Sequence, residues 1–377
     1  MKRPLLTASL IVRNEEKFLG ACLASLQGAV DEIVVVDTGS TDRSKEIAES
    51  AGACVYDFQW TNNFSEARNR ALDLSTGEWI LYIDADEKVR PETVSNLRAE
   101  LSDPSHVGYE VLLHPRPNQT PYWVLRLFRN HPSVRFRGII HENMWPALQD
   151  FCARRGGKIG KSALVLDHDG YEGNQEAKNA RNFPLLLESL KQDPGRVYSW
   201  CHLASIYLDR KEPQLAKEAW LSALELVRKR GPNAPEDILP YLGLIQNGSD
   251  FGCDVKSLLA EAQLQFKSSV QLEWLRARML MDEGQFEGAI AAFQRLVERG
   301  ERDCDHSIAH DSKLFSVLAY DCIATCHFRL RQYSDSRKYY DLAARHEPDR
   351  LEYRVKRALC ERLERQASGA GSLVSTR

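Results

Sequence analysis

The run Trp79-Ile80-Leu81-Tyr82-Ile83-Asp84-Ala85-Asp86-Glu87 carries the first chemical signal: an apolar stretch ends in three acids interrupted by one alanine. A buried strand gains no stability by ending in carboxylates, whereas such a cluster suits a hard cation and, through it, a nucleoside diphosphate. The same pattern also describes a strand surfacing into a solvated acidic turn, and this segment alone does not decide between the two. Arg13-Asn14-Glu15 and Asp37 likewise close apolar runs, at 5–12 and 31–37. Ligands of open α/β sheets bind beyond the carboxyl ends of strands, so these groups and Asp84-Ala85-Asp86 are expected to face one site.

The elements that must position them follow from periodicity. Up to about residue 170, short β-branched runs alternate with amphipathic helical segments, the signature of an α/β domain. Strands are expected at 5–12, 31–37, 53–58, from Trp79, at 107–113 and at 123–128, with helices at 17–26, after Asp42 and at 65–74. Thr38-Gly39-Ser40-Thr41-Asp42 supplies N-cap chemistry for the second helix. Beyond about residue 175 strand signals stop. Trp200-x-x-Leu203-Ala204-x-x-Tyr207 with Ala216 and Trp220 follows the tetratricopeptide pattern, small residues falling where two helices must approach. Ala277, Gly284, Phe286, Ala289 and Phe293, then Ala324, Ser336, Tyr340, Ala343 and Pro348, repeat that spacing in units of about 34 residues. The stretch 238–266 reads as a degenerate repeat, and a generic helical bundle is the competing description. The expected division is a catalytic domain over 1–172, helical repeats over 173–366 and a flexible tail over 367–377.

Composition narrows the function classes. With 377 residues, 43% hydrophobic and 27% charged, the chain has material for two or three domains with proper cores. A net charge of −3 gives no electrostatic case for nucleic acid as a partner. No apolar run approaches the roughly 20 residues of a membrane span, and a strand-like segment begins almost at once after Met1, so a cytoplasmic protein is expected. The nine scattered cysteines, without a Cys-x-x-Cys pair, read as free buried thiols.

With these residues in view, the first half resembles the family 2 glycosyltransferases of GT-A fold. The resemblance rests on Ala8-Ser9-Leu10-Ile11-Val12-Arg13-Asn14-Glu15-Glu16, Val35-Val36-Asp37-Thr38-Gly39-Ser40-Thr41-Asp42, Phe64-Ser65-Glu66-Ala67-Arg68-Asn69 and Asp84-Ala85-Asp86, in that order. Arg126-Leu127-Phe128-Arg129-Asn130, Phe136-x-Gly138-x-Ile140-His141-Glu142 and His168-Asp169-Gly170-Tyr171 look like a subgroup in which such a domain precedes tetratricopeptide repeats. That subgroup includes bacterial lipopolysaccharide-core-type sugar transferases and enzymes that glycosylate peptides. The expected fold class is thus an α/β GT-A domain followed by an all-α tetratricopeptide-like domain.

The resemblance implies an inverting, metal-dependent transfer from a nucleoside-diphosphate sugar, read as a UDP-sugar, to a peptide, protein or lipid-linked glycan. Asp86 would ligate a divalent cation, Mn²⁺ or Mg²⁺, and Asp84 would face the ribose or a metal-bound water. Asp37 would accept a hydrogen bond from the base or ribose, Arg13 and Glu15 would line the same pocket, and Arg68 would reach a phosphate oxygen. Glu142 is the expected general base. His168 is expected as a third metal ligand, a structural histidine being the alternative. Glu16 and Glu87 read as helix-end acids, with Glu87 at the surface, and Arg70 as solvated. Trp60, Tyr122, Trp123 and Trp145 are candidates to stack on a sugar ring. The repeats would bind the acceptor or a second copy of the chain. The opposing reading is a repeat-mediated interaction protein with a non-catalytic nucleotide-sugar domain. A nucleotidyltransferase ranks behind both, because no glycine-rich loop follows the first strand.

Overall fold

Burial on both faces is what the run Ile33 to Val36 predicts, and all four residues are at most 9% exposed. The computed structural model describes residues 3–170, 175–304 and 306–372. Its α/β elements are β1 (Leu6–Val12), α1 (Leu19–Leu26), β2 (Glu32–Asp37), α2 (Ser44–Ser50), β3 (Cys54–Asp57), α3 (Phe64–Leu74), β4 (Trp79–Tyr82), β5 (Glu87–Val89), α4 (Leu97–Leu101), β6 (His106–His114), β7 (Tyr122–Arg129), α5 (Trp145–Arg155) and β8 (Lys158–His168).

The strands form one mixed sheet in the order β3-β2-β1-β4-β7-β6-β8-β5. β1 lies parallel to β2 and β4, with Val12 opposite Asp37, so the loops after these strands open on one edge. Trp79 anchors the fourth strand: it is 0% exposed, and its indole N–H donates to the Leu101 carbonyl at 2.8 Å. A buried Trp requires such a partner for its N–H. β5 was not expected. It pairs antiparallel with β8, Glu87 opposite His168, and this pairing brings His168 back to the acidic turn.

From Gln175 onward the described chain is helical: α6 (Gln175–Gln192), α7 (Val197–Asp209), α8 (Pro213–Arg230), α9 (Leu239–Gln246), α10 (Gly248–Phe251), α11 (Val255–Gln265), α12 (Val270–Asp282), α13 (Phe286–Arg299), α14 (Val317–Arg329), α15 (Tyr333–His346) and α16 (Leu351–Ser372). Small residues at the repeat positions let backbones approach: Ala204, Ala216, Ala277, Ala289, Ala324 and Ala343 are all 0% exposed. Ser336 donates from its hydroxyl to the Ala324 carbonyl at 2.8 Å, joining α15 to α14. The chain divides into two compact units, Met1–Pro117 with Pro121–Leu226 and Asn118–Thr120 with Val227–Arg377. The first unit therefore takes in α6 and α7 with the sheet. Helix α16 continues to Ser372, within the stretch 367–377 expected as a tail, whose last residues, 373–377, lie outside the described ones.

Six of the nine cysteines are buried, but Cys152 and Cys253 are half-buried and Cys54 is exposed on β3, a correction to the expectation of uniformly buried thiols. Among the described residues, no helix is long and apolar enough to cross a membrane.

Candidate active site

Loop 13–16 after β1 is held by the loop after β2. Asn14 sits at a φ of 57°, in the left-handed region that Asn tolerates. Its side-chain oxygen accepts from the Thr41 amide at 2.7 Å, and the Glu15 amide donates to Ser44 Oγ at 2.7 Å. Glu16 accepts from the Arg43 amide at 3.2 Å, which makes it a structural acid. Asp37 is 2% exposed. Its Oδ1 accepts from the Gly39 and Ser40 amides, each at 2.9 Å, while its buried Oδ2 has no hydrogen-bond partner. An unpartnered buried carboxylate oxygen costs about 1–3 kcal/mol, more when charged, unless something donates to it.

A cavity of about 270 Å³ opens at this edge, lined by Arg13, Glu15, Trp60, Arg68, Asp84 and Asp86 together with His168, Lys178 and Arg181. The spacing of Lys178 and Arg181 on α6, three residues apart, places both on one helix face, and they add two cations to the wall. Glu142 joins the wall through Arg68, and Asp37 through its chain neighbour Thr38. Of the four aromatic candidates only Trp60 lines this cavity. Trp123 instead lies under Lys161 at 4.4 Å, and Trp145, half-buried at the start of α5, packs against the core cluster that holds Phe128, Phe136 and Leu148.

Within the acidic turn the three acids part company. Asp84 is consumed by two guanidiniums, Oδ1 accepting from Arg68 at 2.5 Å and Oδ2 from Arg126 at 3.2 Å. Burial opposes its charge, but Arg68 and Arg126 outweigh that and hold the carboxyl well below the usual carboxylate range. Arg68, the expected phosphate contact, also donates from Nε to Glu142 at 2.5 Å and is 8% exposed, so two of its three nitrogens are taken by carboxylates. Glu87 is not the surface acid expected of it. It is 1% exposed, accepts from the Asp84 amide at 3.0 Å and pairs with Arg126, because β5 turns it inward. Burial pushes its carboxyl up against the pull of Arg126.

Asp86 faces the cavity. Its Oδ2 lies 3.1 Å from His168 Nε2, both side chains being about one-fifth exposed (21% and 19%). A Cβ at Gly170 would fall 1.7 Å from that oxygen, so only glycine fits beside it; Tyr171 lies outside the described residues. Glu15 is pushed up to about 7, chiefly by burial and then by Asp86. One carboxylate oxygen beside one imidazole nitrogen is a donor set that suits Mn²⁺ better than Mg²⁺. No group of three or more His, Cys, Asp or Glu placed to hold a metal occurs among the described residues. Cations of this class need only one or two protein carboxylates when phosphates and waters supply the rest, so Asp86 and His168 fit one.

His141 does not enter the cavity. Its Nε2 is hydrogen-bonded to Nδ1 of His202 on α7 at 2.6 Å, and Tyr198 meets its ring edge-on at 4.8 Å. Burial, then His202 and Arg196, lower His141 to about 3. The unfolded chain, with His141 at its ordinary 6.5, binds the extra proton first. The stabilisation is therefore whole above pH 6.5 and drains away as pH falls toward 3. Acidifying from pH 7.5 to 5.5 is expected to cost about 1 kcal/mol through His141 alone. Urea midpoints at the two values test this, since the drop must shrink in His141→Asn.

The missed residues are instructive. Arg126 had a signal, a lone cation amid Leu125, Leu127 and Phe128 in a strand, whereas Lys178, Arg181, Arg196 and His202 had none, being ordinary helix residues in sequence.

A glycosyl transferase of family 2 is what this arrangement defines, and the family model, described as "Glycosyl transferase family 2", matches residues 8–154. The lipopolysaccharide core biosynthesis glycosyltransferase LpsC of Rhizobium meliloti is 34% identical over 185 residues, covering 45% of this chain and 68% of LpsC. The chain belongs to that family. A TPR repeat-containing protein of Synechococcus elongatus is 45% identical over 135 residues, 35% of this chain and 34% of that protein. The prophage-derived glycosyltransferase SunS of Bacillus subtilis is 29% identical over 201 residues, 51% of this chain and 46% of SunS. The chain thus spans a third to a half of the length of the last two relatives.

Proposed function

We propose that this protein is an inverting, metal-dependent glycosyltransferase that moves a sugar from a UDP-sugar to a lipid-linked glycan, peptide or protein. The observation carrying this reading is Arg68, whose guanidinium ties Asp84 of the acidic turn to Glu142 and so sets a candidate base beside a candidate diphosphate site. Asp37 Oδ2 takes a hydrogen bond from the nucleoside, which supplies its missing partner. Asp86 and His168 hold the cation. When bound, it acts as a Lewis acid that neutralises charge developing on the leaving diphosphate. Lys178, Arg181 and Arg13 add positive charge on the same wall, where anionic oxygens are desolvated and charge-assisted bonds are strong.

Glu142 removes the acceptor proton. Arg68 binds its Oε1, and among the described residues no donor is bound to Oε2, which leaves that oxygen for the acceptor. Trp60 offers its face to a sugar ring. The name of LpsC supports a lipid-linked glycan among the acceptors, and helices following a division near residue 172 supply part of the acceptor surface.

UDP with Mn²⁺ is expected to raise the melting temperature, and chelation to remove the rise, because a ligand that binds only the native state stabilises it by about 2.7 kcal/mol at 100 times its dissociation constant. If neither UDP nor any UDP-hexose binds, the reading fails. Glu142→Gln is expected to lower kcat about 10²- to 10⁴-fold with UDP affinity unchanged, as removal of a general base does. A variant that loses turnover and UDP binding together would mark Glu142 as structural, and one with unchanged turnover would favour a non-catalytic domain.

A further inference from the structure

Glu142 ends a loop whose backbone is held in an unusual shape. The loop closes on itself through Arg137 and Asn143, whose amides and carbonyls exchange bonds of 3.0 and 2.9 Å. Between them Gly138 has a φ of 100° and His141 a φ of 53°. The second is uncommon for a residue with a side chain and costs of order 1 kcal/mol or more, so the surroundings must impose it.

Four successive carbonyls show how it is imposed. Ser65 Oγ donates to Gly138 O at 2.6 Å, and the Phe64 amide donates to Ile139 O at 2.8 Å. Both donors open α3, the helix that carries Arg68. The next two carbonyls belong to Arg196: Nη1 donates to Ile140 O at 3.2 Å, and Nη2 donates to His141 O. Arg196 is the N-cap residue of α7, and the same helix supplies His202 to the His141 ring. Gly138 leaves room for the guanidinium, since a Cβ there would fall 2.1 Å from Nη1. The planar fork places two nitrogens in fixed register, one on each of two neighbouring carbonyls, a geometry that the single nitrogen of an ammonium does not reproduce.

We propose that Arg196 is a positioning residue for Glu142: by gripping the carbonyls of Ile140 and His141 it fixes the peptide that feeds into Glu142 and keeps that carboxylate on Arg68. This rests on the reading of Glu142 as the base. Without the grip, His141 relaxes toward negative φ and the Glu142 carboxylate swings off its line, whereas the nucleotide wall is untouched. A misplacement of about 1 Å can cost about 10²-fold in rate. The first helical hairpin is then part of the catalytic unit and more than an acceptor platform.

The test compares wild type, Glu142→Gln, Arg196→Met, Arg196→Lys and Gly138→Ala. Turnover of UDP-glucose, UDP-galactose and UDP-N-acetylglucosamine with Mn²⁺ is measured alongside UDP affinity by calorimetry. Arg196→Met is expected to lose about 10- to 100-fold in kcat with UDP affinity held within about 3-fold. Arg196→Lys, keeping the charge but on a single nitrogen, should fall between it and wild type. Gly138→Ala pushes on the guanidinium from the other side and should lower kcat in the same way. Should Arg196→Met fail to fold, seen as lost UDP binding, Gly138→Ala and Arg196→Lys decide the matter. Wild-type kcat in the folded Arg196 and Gly138 variants, with Glu142→Gln inactive, overturns the role of Arg196 alone. Full turnover by Glu142→Gln, or a wild type inert toward all three donors, overturns the underlying reading and this inference with it.

Discussion

Asp86→Asn is expected to abolish turnover, a loss of about 10³-fold or more, while the melting temperature of the unliganded protein moves little. Asp86 is the acid of the turn that lines the cavity with no arginine bound to it among the described residues; Asp84 lines it too but, like Glu87, is committed to arginines. An amide keeps the size and a hydrogen-bonding group for His168, so the fold has no reason to respond. What is lost is the negative charge that opposes a cation and fixes it beside the diphosphate. Binding of UDP should therefore lose its dependence on Mn²⁺, and turnover should not return at saturating metal. Asp84→Asn makes the useful contrast, because it leaves Arg68 and Arg126 short of a counter-charge in a dry site and should cost stability as well as activity. Full activity in Asp86→Asn would remove the metal from the reading altogether.

The division between what could be read in the sequence and what could not follows from the physics of each signal. β1, β2 and β4 were legible because a strand buried on both faces must be apolar throughout, and the acids after them stood out against that run. The repeats were legible because close helix packing demands small residues in pairs of constant spacing, Ala204 with Ala216, Ala277 with Ala289 and Ala324 with Ser336. Glu87 was misjudged because a three-residue strand carries too little pattern to show that it turns inward. That Arg68 binds Asp84 and Glu142 was not legible, because sequence gives the charge but not the partner, and these partners lie 16 and 74 residues away. The same limit explains Lys178, Arg181, Arg196 and His202. The change of period near residue 172 shows where one kind of element stops. It does not show that the next two helices lean on the site, and a protein truncated there would lose all four residues.

The largest expected effect on stability belongs to Arg126→Met. Arg126 is 6% exposed, sits 4.3 Å from the centre of the Tyr82 ring, and neutralises Glu87 as well as one oxygen of Asp84. Methionine fills much of the volume and keeps contact with the ring, but it leaves Glu87, at 1% exposure, with no cation. Breaking one side of a buried ion pair typically costs about 3–5 kcal/mol, because the remaining charge stays out of water. Part of that cost is escapable. Glu87 already titrates above its ordinary 4.5 through burial, and losing Arg126 raises it further, so the folded variant takes up a proton that the unfolded chain does not. The proton-linked stabilisation is whole below the unfolded value and fades as pH rises through the folded one, so Arg126→Met should recover toward wild type as pH falls from 8 to 6. Adding Glu87→Gln should recover much of the loss at pH 8 and flatten its pH dependence. Urea denaturation of the single and double variants at both pH values measures all three effects. An Arg126→Met protein within about 1 kcal/mol of wild type at pH 8 would mean that water reaches Glu87, and that the network under the acidic turn is not the dry scaffold on which Asp84 and Glu142 are aligned.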